Sequence, residues 1–498
     1  MSRTFQGRPH PVAPAVATHR RADLPGALVP LLLALGTLVG LMALFYPPGV
    51  TLIDESEFLS IGYTLREDLL RADIDTLIHR QYKYPLLWPL ILSGFLGSGG
   101  WSSVFVANLL CHLLGSLFFW LILRQLALSP WLVLLYAFFP TLVYYDRTLM
   151  SDVSASVLVL GAFLFFLRGS HWSNLSLTGL LLGLSFLIRN VHALLFVPFF
   201  LEEVFQTWRT REVKKGATGL AGLTLSFCVP LAFQCLLNAL ARGNPLATGY
   251  TSLQGNLSEV VGPQFLVENL PLYLASVCLI YPLMAVSLPW YRHPRGRFAL
   301  VGVCLIIVGF YSCYYFIQKG RNWLETLLVC GRFLLPAISL MLVSYAQFLE
   351  GGLKRLPVFG RRLAVGTTCL ALVGVALALN KTHQDFLVRY AEFRDHLLQD
   401  TPPNAVLLTG GRVQALLNPA WGNRRTYAFH YFDRALPVDA AFAQKDAPVY
   451  LVTFVRPNRY ENIARIDALA GSLKKRWPPR ESKEYRSACC TLHIDRLR

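Results

Sequence analysis

ALVPLLLALGTLVGLMALFYPPGVTLIDESE, residues 27–57, decides how the rest of the chain is read. Ala27 to Tyr46 is apolar and, at ~1.5 Å per residue, long enough to cross the ~30 Å hydrocarbon core of a bilayer. The run stops at Pro47-Pro48, and Asp54, Glu55 and Glu57 follow within a few residues. A carboxylate at the lip of a membrane span is costly to hold against hydrocarbon, so it usually meets water, a cation or a substrate. The stretch is too long for the apolar part of a cleavable signal peptide, and no A-x-A site follows it. It reads as a retained anchor.

The composition agrees: 54% of residues are hydrophobic, only 15% are charged, and the mean hydropathy is +0.45. A soluble chain carries roughly 25% charged residues. The net charge of +17 does not point to nucleic acid, because many of the basic residues fall in short loops between apolar runs. Those loops orient the chain, since Lys and Arg concentrate on the cytoplasmic side. Arg3, Arg8, Arg20 and Arg21 place the tail 1–26 inside. The clusters Arg209–Lys215, Arg292–Arg297 and Lys354–Arg362 belong on the same side. Eleven transmembrane helices satisfy this, at about 27–46, 103–126, 131–147, 149–167, 174–189, 191–206, 216–241, 267–289, 298–317, 324–348 and 363–380. The run 174–205 is divided at Arg189-Asn190, which would otherwise lie near mid-membrane. Leu86–Leu96 is too short to span and reads as a helix lying on or dipping into the outer surface. An odd number of spans leaves the C-terminus outside.

The first outer loop, about 50–102, carries Phe58, Ile61, Leu65 and Leu69 at helical spacing, with Arg66, Glu67, Asp68 and Arg71 on other faces. This predicts an amphipathic helix at the membrane interface. Beyond Lys381 the long apolar runs end. Residues 405–409, 426–432, 449–455 and 488–495 read as strands, and 458–475 as a helix whose apolar face holds Ile463, Ile466, Leu469 and Leu473. The fold class is therefore a mostly α, polytopic membrane protein. Residues 27–380 form its transmembrane domain and 381–498 a soluble extracytoplasmic α/β domain. The ten cysteines are scattered and show no metal-ligand spacing or disulfide framework.

With this topology, Asp54, Glu55, Lys83, Asp152, Arg189 and Arg332 all fall on the outer side. Each has an ordinary role available: a solvated carboxylate, a helix N-terminal acid favoured by the dipole, with Arg147 beside Asp152, or a base reaching the headgroups. Together they suit a lipid-linked phosphate. Lys and Arg would grip the phosphate, one carboxylate would take a proton from an attacking hydroxyl or amine, and a second could hold a divalent cation or the acceptor.

Asp54-Glu55 after the first span, Lys83-Tyr-Pro85, Arg147-x4-Asp152, Gly183–Arg189, the 243–250 stretch GNPLATGY and Gly331-Arg-Phe-Leu-Leu-Pro336 come in an order that resembles one family. The chain is similar, over about residues 27–350, to the GT-C-fold glycosyltransferases of the protein-mannosyltransferase and aminoarabinose-transferase group. The resemblance implies a polyprenyl-phosphate-linked sugar donor and inverting transfer to a lipid, glycan or protein acceptor. It implies Asp54 as the catalytic base with Asp152 as a second catalytic carboxylate, and Lys83, Arg189 and Arg332 as the donor-phosphate cations; Glu55 is the carboxylate left for an acceptor or a cation. This chain differs at two points: Arg189 stands where the family often has Lys, and Tyr82 precedes Lys83 where an acid is expected for a metal set. The short loops suit a bacterial inner membrane. The rival classes are a transporter or flippase of lipid-linked or small solutes, and a ligase or phosphotransferase acting on lipid-linked glycans. No inverted repeat marks a transporter.

Overall fold

The computed structural model describes residues 24–50, 52–79, 82, 84–99, 101–247, 260–317, 323–410, 424–429, 442, 446–455, 463–487 and 490–498. The apolar run that opens the chain forms helix α1 (Leu24–Leu44). The loop after it folds into α2 (Ile53–Leu70), α3 (Ile74–His79) and α4 (Leu87–Gly99), with α4 lying against α2. Then come α5 (Val106–Gln125), α6 (Val133–Ala137), α7 (Pro140–Tyr145), α8 (Asp152–Leu167), α9 (Trp172–Phe186), α10 (Phe196–Thr210) and α11 (Val213–Arg242). The bundle ends with α12 (Leu266–Ile280), α13 (Arg297–Ser312), α14 (Trp323–Cys330), α15 (Leu335–Leu353) and α16 (Val358–Asp400).

Five helical stretches are long and apolar enough to cross a membrane: Gly26–Leu44, Ser102–Gln125, Val213–Arg242, Glu325–Leu353 and Val358–Asp400. Shorter apolar helices cover Leu87–Gly97, Asp152–Leu167 and Arg297–Ser312. The chain is a multi-pass membrane protein. The stretch 131–147, expected as one span, is broken instead. Phe138 and Phe139 leave the helix, and Pro140, which has no amide hydrogen to donate, starts α7. The division expected at Arg189-Asn190 is present as a 3-10 turn, Asn190–Leu195, between α9 and α10. In α2, Phe58 and Leu65 are buried at 2% exposure. Leu69, expected on the same face, is 50% exposed.

Two helices meet through glycines. Gly179 and Gly183, one turn apart on α9, face α11, where Gly219 and Gly222 face back. A Cβ on Gly179 would come within 2.1 Å of the Leu223 carbonyl oxygen, and one on Gly183 within 2.8 Å of Pro230. Small residues at this spacing let backbones approach, the main source of packing between helices in lipid. Gly179→Ala is expected to destabilise the protein by about 1–3 kcal/mol through overpacking against backbone that has no rotamer to move. The check is the thermal unfolding midpoint in detergent. An unchanged midpoint would show that α9 and α11 can part without cost.

Helix α16 does not stop where the hydropathy falls. It runs unbroken through Lys381 to Asp400. Its far half packs on a five-stranded sheet built from β1 (Val406–Gly410), β2 (Arg425–Phe429), β3 (Val449–Val455), β4 (Glu481–Arg486) and β5 (Thr491–Arg496), in the order β2-β1-β3-β5-β4. β1 is parallel to β2 and β3, and β5 is antiparallel to β3 and β4. The strands alternate as buried strands do. Leu407, Tyr450, Val452, Leu492 and Ile494 meet Phe386, Tyr390, Phe393 and Leu397 of α16. Val406, Leu408, Val449 and Leu451 meet Ala470 and Leu473 of α17 (Ile463–Arg476) on the other face. The strand expected at 426–432 is β2, with 430–432 outside the described residues.

Candidate active site

Asp54 lies in the first turn of α2 and Asp152 is the first residue of α8. Arg189 lies in the link after α9, and Arg332 in the 3-10 turn Gly331–Leu334 that joins α14 to α15. The fold brings these four together. Arg189 Nη2 is 2.7 Å from Asp152 Oδ2, and Arg332 Nη2 is 3.5 Å from Asp54 Oδ2. Both guanidinium groups lie over one ring, that of Phe333, at 5.5 Å and 4.4 Å from its centroid. Phe333 in turn stacks on Tyr311 at 4.8 Å. The aromatic face receives the planar cations.

The two carboxylates differ in access. The Asp54 side chain is 36% exposed and the Asp152 side chain 4%. Asp54 is also oriented: the Tyr84 hydroxyl donates to its Oδ1 at 2.8 Å, and the Tyr84 ring packs against Phe58 at 4.4 Å. Tyr84 carries no signal in the sequence beyond its place next to Lys83. Lys83 itself lies outside the described residues.

Glu55, expected as an acceptor or cation residue, is buried at 2% exposure. Its Oε2 accepts from the Leu52 amide and its Oε1 from the Leu149 amide, both at 2.9 Å. The first contact ties down the start of α2 as the acid of a capping box does. The second reaches the segment that leads to Asp152. Trp88 Nε1 donates to the Leu149 carbonyl at 2.7 Å, and Asn108 Nδ2 donates to the carbonyls of Thr148 and Met150, each at 2.7 Å. The segment before Asp152 is thus held from α2, α4 and α5. Arg147, which the sequence pairs with Asp152, turns away: its guanidinium donates to the carbonyls of Phe45 at 2.9 Å and Asn380 at 3.0 Å, and also to Gln384.

No protein-family model and no curated protein sequence matches the chain. Solved structures do match it. ArnT from Cupriavidus metallidurans in the apo state superposes with a TM-score of 0.58 at 14% identity, over 94% of this chain and 98% of that one. The chain has an ArnT-like GT-C fold. The same ArnT bound to undecaprenyl phosphate superposes with a TM-score of 0.55 at 14% identity, over 94% of this chain and 96% of that one. The ArnT-like fold therefore takes in the membrane bundle and the C-terminal sheet together. Within it, no group of three or more His, Cys, Asp or Glu side chains among the described residues is arranged to hold a metal ion.

Proposed function

We propose that the chain is an integral-membrane glycosyltransferase that moves a hexose or pentose from a polyprenyl-phosphate-linked donor to an acceptor, with inversion. The observation that carries the proposal is the meeting of two guanidinium–carboxylate pairs on Phe333, with one of the carboxylates exposed. Arginine forks match phosphate oxygens, and Arg332, at 2% exposure, is too enclosed to be a headgroup anchor. Asp54 takes the proton of the acceptor hydroxyl or amine as that group attacks the anomeric carbon. The carbon–oxygen bond to the phosphate breaks, and its electron pair leaves on polyprenyl phosphate. Arg189 and Arg332, with Lys83 as a third cation, hold the charge that grows on the leaving oxygen. Fixed donors aimed at developing charge supply much of the rate gain in such sites. The ArnT likeness supports the lipid carrier, since one of those structures holds undecaprenyl phosphate. The basic loops support an orientation with this site on the outer face of a bacterial inner membrane and the N-terminus in the cytoplasm.

The test supplies the purified protein, in lipid vesicles, with polyprenyl-phosphate sugars labelled in the sugar. Transfer of label to an acceptor with release of polyprenyl phosphate is the expected result. Labelled lipid that crosses the bilayer unchanged makes the chain a flippase. Transfer of phosphate along with the sugar makes it a phosphotransferase.

A further inference from the structure

We propose, resting on the function above, that Asp152 is not a proton-transfer group but a placeholder for the lipid phosphate on Arg189. The donor phosphate draws Arg189 away from the Asp152 carboxylate when it binds, and the carboxylate recaptures Arg189 as product polyprenyl phosphate leaves.

Three features of the site support this. Asp152 is buried at the head of α8, and the segment before it is fixed by Glu55, Trp88 and Asn108, so its carboxylate has little freedom to travel to a sugar. Arg189 is the longer and more accessible partner: its side chain, 14% exposed against 4% for Asp152, stands in the link between α9 and the following 3-10 turn. The contact between them is a close ion pair at 2.7 Å in which Asp152 Oδ2 accepts no aligned hydrogen bond. A phosphate with several acceptor oxygens offers the guanidinium fork a better match. Arg332, enclosed at 2% exposure and seated on Phe333, stays in place as the fixed half of the phosphate site. The exchange also addresses product release. Sugar-linked polyprenyl phosphate is a phosphodiester with one negative charge, whereas free polyprenyl phosphate carries nearly two at neutral pH. The product would bind two arginines more tightly than the donor does, unless a resident anion competes for one of them.

The experiment titrates the full-length protein in detergent with undecaprenyl phosphate, with no sugar or acceptor needed. Asp152→Asn and Asp152→Ser are each expected to bind it about tenfold more tightly than wild type. Removing a competing charge a few ångströms away is amply large enough for that change. Arg189→Gln should weaken binding, and in the double variant with Asp152→Asn the tenfold gain should vanish, since the gain acts through Arg189. Equal or weaker binding by both Asp152 variants overturns the placeholder role. So does failure of both to fold even with the lipid present, which makes Asp152 a structural counter-ion. If wild type itself binds no undecaprenyl phosphate, the functional proposal fails, and that outcome is distinct from the other two.

Discussion

Asp54→Asn is expected to lower sugar transfer by roughly a hundred- to ten-thousand-fold, the range that a positioned general base contributes. The substitution is close to isosteric. The asparagine oxygen can still accept from the Tyr84 hydroxyl, which donates to Asp54 Oδ1 at 2.8 Å, so the start of α2 should keep its structure. What is lost is the group that takes the acceptor's proton, together with the negative charge facing Arg332 across 3.5 Å. Asp54 is the better candidate of the two acids because it is 36% exposed, while Asp152 at 4% is closed off. Measuring transfer from labelled donor beside undecaprenyl phosphate binding separates chemistry from folding: the variant should bind the lipid phosphate and fail to transfer. Turnover within about fivefold of wild type would move the base elsewhere.

Arg147→Met is expected to be the most destabilising single change, by about 3 kcal/mol or more. The Arg147 guanidinium is buried at 2% exposure and donates to the Phe45 carbonyl after α1, to the Asn380 carbonyl on α16 and to Gln384. Methionine fills much of the volume but leaves buried acceptors without donors, each costing about 1–3 kcal/mol. Arg147→Lys keeps the charge and loses the fork, so its effect should fall between. The thermal midpoint in detergent reports the loss, and proteolysis should report freer movement of the sheet against the bundle. A methionine variant with the wild-type midpoint would show that these contacts contribute little.

Much of the candidate site was legible in the sequence because charge is expensive in a membrane wherever it stands. Asp54, Asp152, Arg189 and Arg332 stand out against apolar surroundings, although Asp54 and Arg332 are 278 residues apart. What each charge touches was not legible. Glu55 reads like Asp54 in the sequence, and its contacts with the Leu52 and Leu149 amides depend on how α2 meets the segment before α8. Arg147 lies five residues from Asp152, but its partners come from the residue just after α1 and from α16. Strand β4 was not legible either, because ESKEYR has no apolar alternation. Among the described residues it is an edge strand, paired to β5 and largely exposed. The helix break at Phe138-Phe139 lies inside a continuous apolar run, where hydropathy carries no period to lose. Hydropathy reports surroundings and not conformation, so it marks the change near Lys381 while helix α16 continues past it.

That unbroken helix has a mechanical meaning. With 43 residues at ~1.5 Å each it is a shaft roughly 65 Å long, keyed at two places. Near its middle, Asn380 and Gln384 engage Arg147 and Tyr46 beside the bundle, and Arg394 nearer its end reaches Pro48. Farther on, Phe386 to Leu397 engage the sheet. Adding or removing one residue above Asn380 would turn everything beyond it by ~100° and misalign both keys at once. Seven added residues would nearly restore the angle while lifting the sheet by ~10 Å. Length changes here are governed by rotational phase, as in a gear train, where an ordinary linker would feel them only as slack.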